Sequence, residues 1–472
     1  MKRKGIFFLL LSVTVGLSSL HAKTVVFGNA LDYAGEQLKL KYYADEITQK
    51  EVILSDVKVD SLGNFSFLFN LKETKKCFID LGTNRGILFV EPNKTYQIRL
   101  LPYVEKSESQ KFDMFFRPKE ILLSLVNPPK DDLNNQIVAF EDALDNAWNG
   151  FLATKMTKNA IFSAIDSLEK QFPSDNIFFD VYKKSNFAIL ANLCTDRGCS
   201  REAQSAFSSL KVVYNNPSYW EAFQILFDGY FDSFQDKIGG SALFSSYRSA
   251  DYKTFAANFA KIAALQNMDL QELITVYNFS NRFATKKGEQ KIIISLLEQM
   301  KEVTKNPENK RIVEDVLQKM YMAQPGTLPQ KFDIVDLDGN PVSLDKFAGK
   351  YLYITFCSSK IEESKADMVY LEQLRQRYKD NLEVLFIFTY EDVATTKQYV
   401  KNIPMKSAIA NWNNSLDLLK SFKVVNIPSY YLMDAEGRFM LSPAPGPEEN
   451  FEHYFESLTK QEEESRNINN LN

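Results

Sequence analysis

The chain has 472 residues, enough for roughly two to four domains, and 45% of them are hydrophobic while 25% are charged, as in an ordinary folded protein. The formal net charge of −4 argues against a nucleic-acid-binding protein, because such binding depends on basic surface. Only two histidines are present, His21 and His453, which argues against a histidine-rich zinc site. We therefore predict neither a metal site nor another cofactor.

The first residues have the pattern of a secretory signal peptide. A basic start, Lys2-Arg3-Lys4, precedes an apolar run from Gly5 to Leu20, and Ala22 is a small residue that suits a cleavage site. The alternative is a membrane anchor, but the run is shorter than the roughly 20 apolar residues that span a bilayer. We predict a signal peptide over residues 1–22, export to the periplasm or cell envelope, and no membrane span after its removal.

Residues 23–105 have the period-two alternation of β-strands. Runs such as EQLKLKYYA (residues 36–44) and EVILSDVKVD (residues 51–60) alternate apolar and polar side chains. A turn signal at Gly63-Asn64 precedes Phe65, Phe67 and Phe69. Short strands separated by regularly spaced turns are typical of a small β-sandwich, which we predict here.

Residues 106–322 change to helical periodicity. Apolar residues recur at three and four in NQIVAFEDALDNAWNGFL (residues 135–152), DYKTFAANFAKIAAL (residues 251–265) and KIIISLLEQMKEV (residues 291–303). Breaks such as FPSDN (residues 172–176) are typical of connections between helices. We predict an all-α region of roughly seven to nine helices.

Residues 323–461 alternate between strand and helix patterns. KYLYITF and LEVLFIFTY read as buried strands, and EESKADMVYLEQLRQRY between them reads as an amphipathic helix. Buried parallel strands with helical crossovers indicate an α/β domain. The predicted fold is therefore multidomain, with a β-sandwich, an all-α region, an α/β domain and a disordered tail over residues 462–472.

This last block resembles the thioredoxin-fold domain of the TlpA-type thiol–disulfide oxidoreductases of the cell envelope. The residues that match the opening pattern of that family are Pro329, Phe332, Asp338-Gly339, Leu344, Phe347 and Gly349-Lys350. The segment VNIPSY is similar to the one that contains the family's cis-proline, here Pro428. The resemblance implies a thioredoxin-like fold for the α/β domain, and the domain order is similar to that of exported TlpA-like proteins of the Bacteroidota.

The redox motif of that family is degenerate here. Members usually read F-W-A-x-W-C-x-x-C-[RK]-x-E-M after the strand, and an ungapped alignment sets Phe356 on the Phe and Met368 on the Met. The two redox cysteines then fall on Ile361 and Ser364. Isoleucine has no thiol chemistry, serine does not attack a disulfide at neutral pH without a strong base, and a second thiol is needed to resolve a mixed disulfide.

Cys357 lies four positions before the first motif position, and two interpretations of it stay open. It is either an exposed monothiol at a strand end or a half-buried residue that packs under the following helix. In a second register, Cys357-Ser-Ser-Lys360 would itself lie on the motif. That register needs a four-residue deletion and loses the match from Lys365 to Met368.

The other cysteines admit structural interpretations. Cys194 and Cys199 flank a short turn between predicted helices and can close a local disulfide in an oxidising compartment. Their spacing is not C-x-x-C, which argues against a catalytic role. Cys77 is predicted to pack on a strand.

These observations favour an exported, redox-inactive thioredoxin-fold protein that acts as a binding or scaffold module. The resemblance implies a groove beside Ile427 and Pro428 that presents backbone groups to an extended polypeptide of the cell envelope. The alternative is an enzyme, with thiol–disulfide or peroxide-reducing activity through the single thiol of Cys357.

Overall fold

The computed structural model describes residues 23–107, 110, 116–152, 156–196, 198–331 and 333–469. The predicted signal peptide and Phe332 lie outside these residues. The chain divides into two compact units, one of Met1–Val104 with Pro118–Leu226 and one of Glu105–Arg117 with Phe227–Asn472. The helical region is thus shared between the two units, whereas the sequence predicts one helical domain over residues 106–322.

The first unit begins with two sheets that share one core. Their orders are β4–β1–β7–β9 and β3–β2–β5–β6–β8. The strands are β1 (Thr24–Asn29), β2 (Gln37–Tyr43), β3 (Glu51–Lys58), β4 (Asn64–Phe69), β5 (Lys75–Leu81), β6 (Asn84–Val90), β7 (Thr95–Arg99), β8 (Lys119–Leu122) and β9 (Ser124–Leu125). Strands β8 and β9 lie beyond the predicted boundary at residue 105.

Alternation along β4 shows why these residues form a sandwich. Phe65, Phe67 and Phe69 are buried and the residues between them are exposed, so one face of the strand supplies the core. Leu38 and Leu40 from β2 in the other sheet belong to the same core. Two sheets that bury facing apolar sides in this way form a β-sandwich.

Five helices follow in the first unit. They are α1 (Leu133–Leu152), α2 (Lys158–Gln171), α3 (Ile177–Asn192), α4 (Cys199–Ser208) and α5 (Pro217–Phe227). Phe89 of β6 packs in the helical core with Phe140 and Phe178 rather than in the sandwich core. The β-sandwich and these helices are therefore joined by a continuous apolar contact within the unit.

The second unit contributes five more helices before the C-terminal sheet. They are α6 (Gly240–Arg248), α7 (Tyr252–Ala263), α8 (Met268–Thr285), α9 (Gln290–Val303) and α10 (Pro307–Tyr321). Polar N-cap residues fix several of the starts, since the side chains of Asp251, Asn267 and Asn306 accept hydrogen bonds from the first-turn amides. The described residues therefore contain ten α-helices between residues 133 and 321.

The C-terminal part is a five-stranded sheet with helices on both faces. Its strands are β10 (Tyr351–Cys357), β11 (Leu382–Phe388), β12 (Ala408–Asn411), β13 (Ser429–Met433) and β14 (Phe439–Leu441), in the order β12–β11–β10–β13–β14. Its helices are α11 (Glu362–Arg377), α12 (Val393–Val400), α13 (Leu416–Phe422) and α14 (Phe451–Asn469). Strands β10, β11 and β12 are parallel, β13 is antiparallel to β10, and β14 is antiparallel to β13.

Alternation along β10 divides the core of this sheet into two. Ile354 and Phe356 face the cluster that contains Phe422 of α13. Tyr353 and Cys357 face the opposite cluster, which contains residues of α11 and α14. The arrangement is that of the predicted α/β domain, although α14 continues to Asn469, into the segment for which the sequence analysis predicted disorder.

Candidate functional site

The residues of the predicted site meet at one edge of the C-terminal sheet. Strands β10 and β13 pair antiparallel with Phe356 opposite Ser429, and continuing that register sets Cys357 beside Pro428. The loop 358–361 leaves β10 at the edge where the segment 425–428 enters β13. The Ile427–Pro428 peptide bond at this edge is cis.

Ile361 occupies the position immediately before helix α11. It is the N-cap residue, with φ −111° and ψ 121°, and no side chain caps the helix there. The start of a helix favours an anion through its free amides and its dipole, which is why a sulfur at this point is readily ionised. In the ungapped alignment the first redox cysteine would stand at this N-cap, and an aliphatic side chain occupies it.

Ser364, the other aligned position, lies in the first turn of α11 and is buried. Its hydroxyl oxygen accepts a hydrogen bond of 3.3 Å from the backbone amide of Ser358. The side chain therefore satisfies a buried donor of the loop, which is a structural role that serine performs and that involves no exchange chemistry.

Cys357 is the last residue of β10 and points into the protein. It is 1% exposed, and its thiol donates a long hydrogen bond of 3.7 Å to the carbonyl of Ile387. Its own carbonyl accepts bonds from the amide and hydroxyl of Thr389. The thiol therefore lies in the core that faces α11 and not at the N-terminus of that helix.

The surroundings of Cys357 oppose its ionised form. Burial raises the pKa of the thiol well above its ordinary value, and the nearby carboxylates of Glu391 and Asp367 raise it further. Because the thiolate is the nucleophile in disulfide exchange, this cysteine is held in its unreactive protonated form.

Glu391 was missed by the sequence analysis and is the central polar group of this edge. Its carboxylate, in a residue only 8% exposed, accepts bonds from the hydroxyl of Ser358 at 3.1 Å and from the amide and hydroxyl of Ser359 at 3.0 and 2.8 Å. The hydroxyl of Thr396 donates to its other oxygen at 3.1 Å. The side chain thus fastens the loop 358–361 to the region between β11 and α12. Its position just after a buried parallel strand was the one available signal, because polar groups at such strand ends share an edge of the sheet.

A second buried carboxyl group lies on the α11 side of Cys357. The hydroxyl of Tyr430 donates a hydrogen bond to Asp367, which the alignment sets on the acidic position of the motif. Burial raises the pKa of Asp367, Glu448 and Glu363 raise it further, and the bond from Tyr430 lowers it. Like Glu391, the carboxylate of Asp367 raises the pKa of the Cys357 thiol and so opposes its ionisation.

The remaining cysteines belong to the first unit. The Sγ atoms of Cys194 and Cys199 lie 2.15 Å apart, which is disulfide distance, and join the end of α3 to the start of α4. Cys77 on β5 is free and buried. Among the described residues, no group of three or more His, Cys, Asp or Glu side chains could hold a metal ion. In the same part of the chain, each helix is too short or too polar to cross a bilayer.

The chain is similar to the thiol-disulfide oxidoreductases ResA of Bacillus thuringiensis subsp. konkukian and Bacillus cereus. It is 24% identical to each over 131 residues, which are 27% of this chain and 75% of each relative. No family model matches the chain. The sequence similarity supports the predicted resemblance to thioredoxin-like thiol–disulfide oxidoreductases for that part of the chain.

Solved structures of low similarity include two from Bacteroides. The thioredoxin domain of a thiol-disulfide oxidoreductase from Bacteroides vulgatus is 20% identical, with a TM-score of 0.26, and the match covers 28% of this chain and 96% of that chain. A thiol:disulfide interchange protein from Bacteroides sp. is 23% identical, with a TM-score of 0.25, over 26% of this chain and 84% of that chain.

Proposed function

We propose that the C-terminal domain is a redox-inactive member of the thioredoxin-like fold that binds an extended polypeptide in the cell envelope. The redox-inactive half of this proposal rests on the residue at the start of α11 and on the location of the domain's cysteine. Ile361 stands at the N-cap of α11, where a sulfur would be activated, and the domain's one cysteine is buried at the end of β10.

Neither Ile361 nor Ser364 can replace a redox cysteine in disulfide exchange. An attacking group must be an anionic sulfur, and a second sulfur must release the mixed disulfide. Ser364 supplies neither sulfur, because its side chain is a hydroxyl group. The oxygen of that hydroxyl accepts a hydrogen bond from the amide of Ser358. The alternative, thiol or peroxide chemistry through Cys357, requires an exposed and ionised thiol, and both burial and neighbouring charge oppose it.

The binding half rests on the backbone that the edge retains. The segment 425–428 enters β13 beside the N-terminus of α11, and an extended polypeptide can add to such a segment through main-chain hydrogen bonds. Val425 is 55% exposed, and Ile427 is partly buried against the core beneath. An apolar rim of this kind can hold side chains of the added strand.

The redox half is tested by an insulin-reduction assay on the full chain. Wild type and the Cys357→Ser variant are compared with an active dithiol oxidoreductase at equal concentration. We expect both to show only the background rate. Turnover by the wild type that disappears in Cys357→Ser would overturn the proposal in favour of a monothiol enzyme.

The binding half is tested by screening extended peptides for affinity by fluorescence polarisation. The rim variant Val425→Asp is compared with Val369→Asp on α11, because Val369 is 57% exposed and so carries the same charge at similar exposure away from the rim. We expect roughly tenfold weaker binding for the rim variant alone, which corresponds to about 1.4 kcal/mol. Equal affinity of both variants, or no peptide affinity in the wild type, would reject this rim as the binding surface.

A further inference from the structure

A cleft in the first unit lies between the β3–β2–β5–β6–β8 sheet and the start of α5. Five aromatic residues line it. Phe78 of β5 and Trp220 of α5 are each 2% exposed, and Tyr42, Tyr43 and Tyr214 are partly exposed beside them. A concave surface of rings with a few polar groups is the usual form of a site for a small ligand or a single side chain.

Hydrogen bonds of the fold hold the walls of this cleft in place. The side-chain amide of Asn215 donates to the carbonyl of Thr74 at 2.9 Å and so joins the segment before α5 to the sheet. The indole nitrogen of Trp220 donates to the carbonyl of Tyr214 at 2.9 Å, which fixes that segment on α5. The cleft is therefore formed by the chain itself and needs no ligand to hold it open.

One carboxylate of the cleft has no partner. The ammonium group of Lys76 lies 2.7 Å from the carboxylate of Glu120, and that of Lys75 lies 2.6 Å from Glu73, which is outside the cleft lining. Glu46, in the turn between β2 and β3, makes no hydrogen bond or ion pair with the described residues. Because Glu46 is partly buried, water solvates its charge only in part.

The charges around Glu46 do not compensate its own. Burial raises the pKa of its carboxyl group, Lys76 lowers it, and Glu120 and Asp45 raise it, with a net shift upward. Burial also raises the pKa of Glu221 on α5, and Lys76 again lowers it. Because one lysine is shared among these carboxylates, the cleft is short of positive charge.

The rings of the cleft already hold cations of the chain. The guanidinium carbon of Arg85 lies 3.9 Å from the centre of the Phe78 ring, and the ammonium nitrogen of Lys75 lies 5.2 Å from the centre of the Tyr42 ring. Both distances are within the range of about 6 Å over which a ring face attracts a cation. Arg85 is itself paired with Asp80 at 2.7 Å, so its charge is already balanced.

We propose that this cleft binds a primary alkylammonium group, with the cation at Glu46 and its carbon chain against the rings. A lysine side chain of a polypeptide and a free polyamine share this chemistry. The ammonium ion supplies the charge that the Glu46 carboxylate lacks, and its apolar stem suits the aromatic lining. The inference is independent of the proposed function, because the cleft lies in the first unit and the thioredoxin-like domain in the second.

The experiment measures the affinity of the full chain for two probes by ligand-observed NMR titration. One probe is diaminobutane, and the other is a tripeptide Gly-Lys-Gly with both ends blocked. We expect saturable binding with a dissociation constant of about 1 mM or lower. The same tripeptide with an acetylated lysine keeps the apolar stem and loses the charge, so we expect it to bind at least about tenfold more weakly.

The decisive comparison uses two variants with the same change of charge. Glu46→Gln removes the unpaired carboxylate and keeps the shape of the side chain, and we expect it to weaken the binding of the amine probes roughly tenfold. Glu36→Gln removes an exposed carboxylate just before β2, outside the cleft lining. We expect it to leave the affinity within about twofold of the wild type, because solvent and salt screen a distant surface charge.

Binding of the tripeptide alone supports the site and identifies its ligand as a lysine side chain, whereas binding of diaminobutane alone supports it and identifies a free polyamine. No saturable binding of either amine up to about 10 mM overturns the inference. Equal affinity for the acetylated tripeptide overturns it as well, whether or not Glu46→Gln folds. Equal weakening by Glu36→Gln and Glu46→Gln would show attraction to the overall negative charge and would also reject the cleft as the site.

Discussion

Two buried glutamates fasten loops of the C-terminal sheet, and they do so with different partners. Glu372 on α11 accepts bonds of 2.9 and 2.6 Å from the amide and hydroxyl of Ser407, just before β12, and one of 3.0 Å from the guanidinium of Arg375. Glu391, just after β11, accepts its four bonds from hydroxyls and an amide. The first carboxylate is paired with a cation, and the donors to the second are neutral.

This difference separates a structural role from an electrostatic one. A buried carboxylate with a cationic partner contributes to folding and presents little net field to its neighbours. One with neutral donors also holds its loop, but its charge acts on groups nearby, as it does on the thiol of Cys357. Both glutamates are satisfied by serine, but Glu391 and not Glu372 is among the charges that raise the pKa of the Cys357 thiol.

The largest effect is expected at the structural glutamate. Glu372→Ala leaves the amide and hydroxyl of Ser407 without their acceptor and removes one of the two carboxylates that face Arg375. We expect the free energy of unfolding to fall by about 3 kcal/mol, measured by urea denaturation. Glu383→Ala, which removes the more distant partner of Arg375 and the partly exposed ion pair with Lys350, is the control and should cost less than about 1 kcal/mol. Equal losses in both variants would contradict the assigned role of Glu372.

The same glutamate predicts a pH dependence of stability. Burial alone would raise the pKa of Glu372, but hydrogen bonds from Arg375, Ser407 and Gln376 outweigh it and lower the pKa to about 2. A lowered folded-state value means that the contribution is complete above the unfolded value, near 4.3, and is lost as the pH falls towards 2. The stability difference between wild type and Glu372→Gln should therefore shrink between pH 5 and pH 2 in urea titrations. A constant difference would show that the charge of Glu372 is not the source.

A smaller and more local effect is expected at the other glutamate. Glu391→Gln weakens the charge-assisted bonds to Ser358 and Ser359, and we expect the amide of Ser359 to exchange its hydrogen roughly tenfold faster, because local opening becomes easier by about 1.4 kcal/mol. The amide of Ser407, held by Glu372, is the internal control and should exchange as in the wild type. Faster exchange at both amides would indicate global destabilisation and would remove the distinction between the two loops.

Local patterns in the sequence predicted most of the secondary structure but not the contacts of the site. Alternation and helical periodicity indicate the strands and helices because those signals span many residues. The strands β8 and β9 were missed because four and two residues carry too little alternation. Alternation along β10 sets Cys357 on the same face as Tyr353 but leaves open whether the end of the strand is covered. Glu391 could not be connected to Ser358 and Ser359, since 33 and 32 residues separate them and only the parallel pairing of β10 with β11 brings them together.

The smallest effect is expected at Ser364, where the alignment sets the second redox cysteine. Ser364→Ala removes the acceptor for the amide of Ser358 and should cost about 1 kcal/mol in urea denaturation. Ser364→Cys keeps a weak acceptor and should cost less. If serine were only the remnant of a lost cysteine, with no part in holding the loop, alanine would cost nothing and both variants would match the wild type. A measurable loss for alanine alone would instead show that this position serves the loop that Glu391 fastens through a side chain that can accept the hydrogen bond from Ser358.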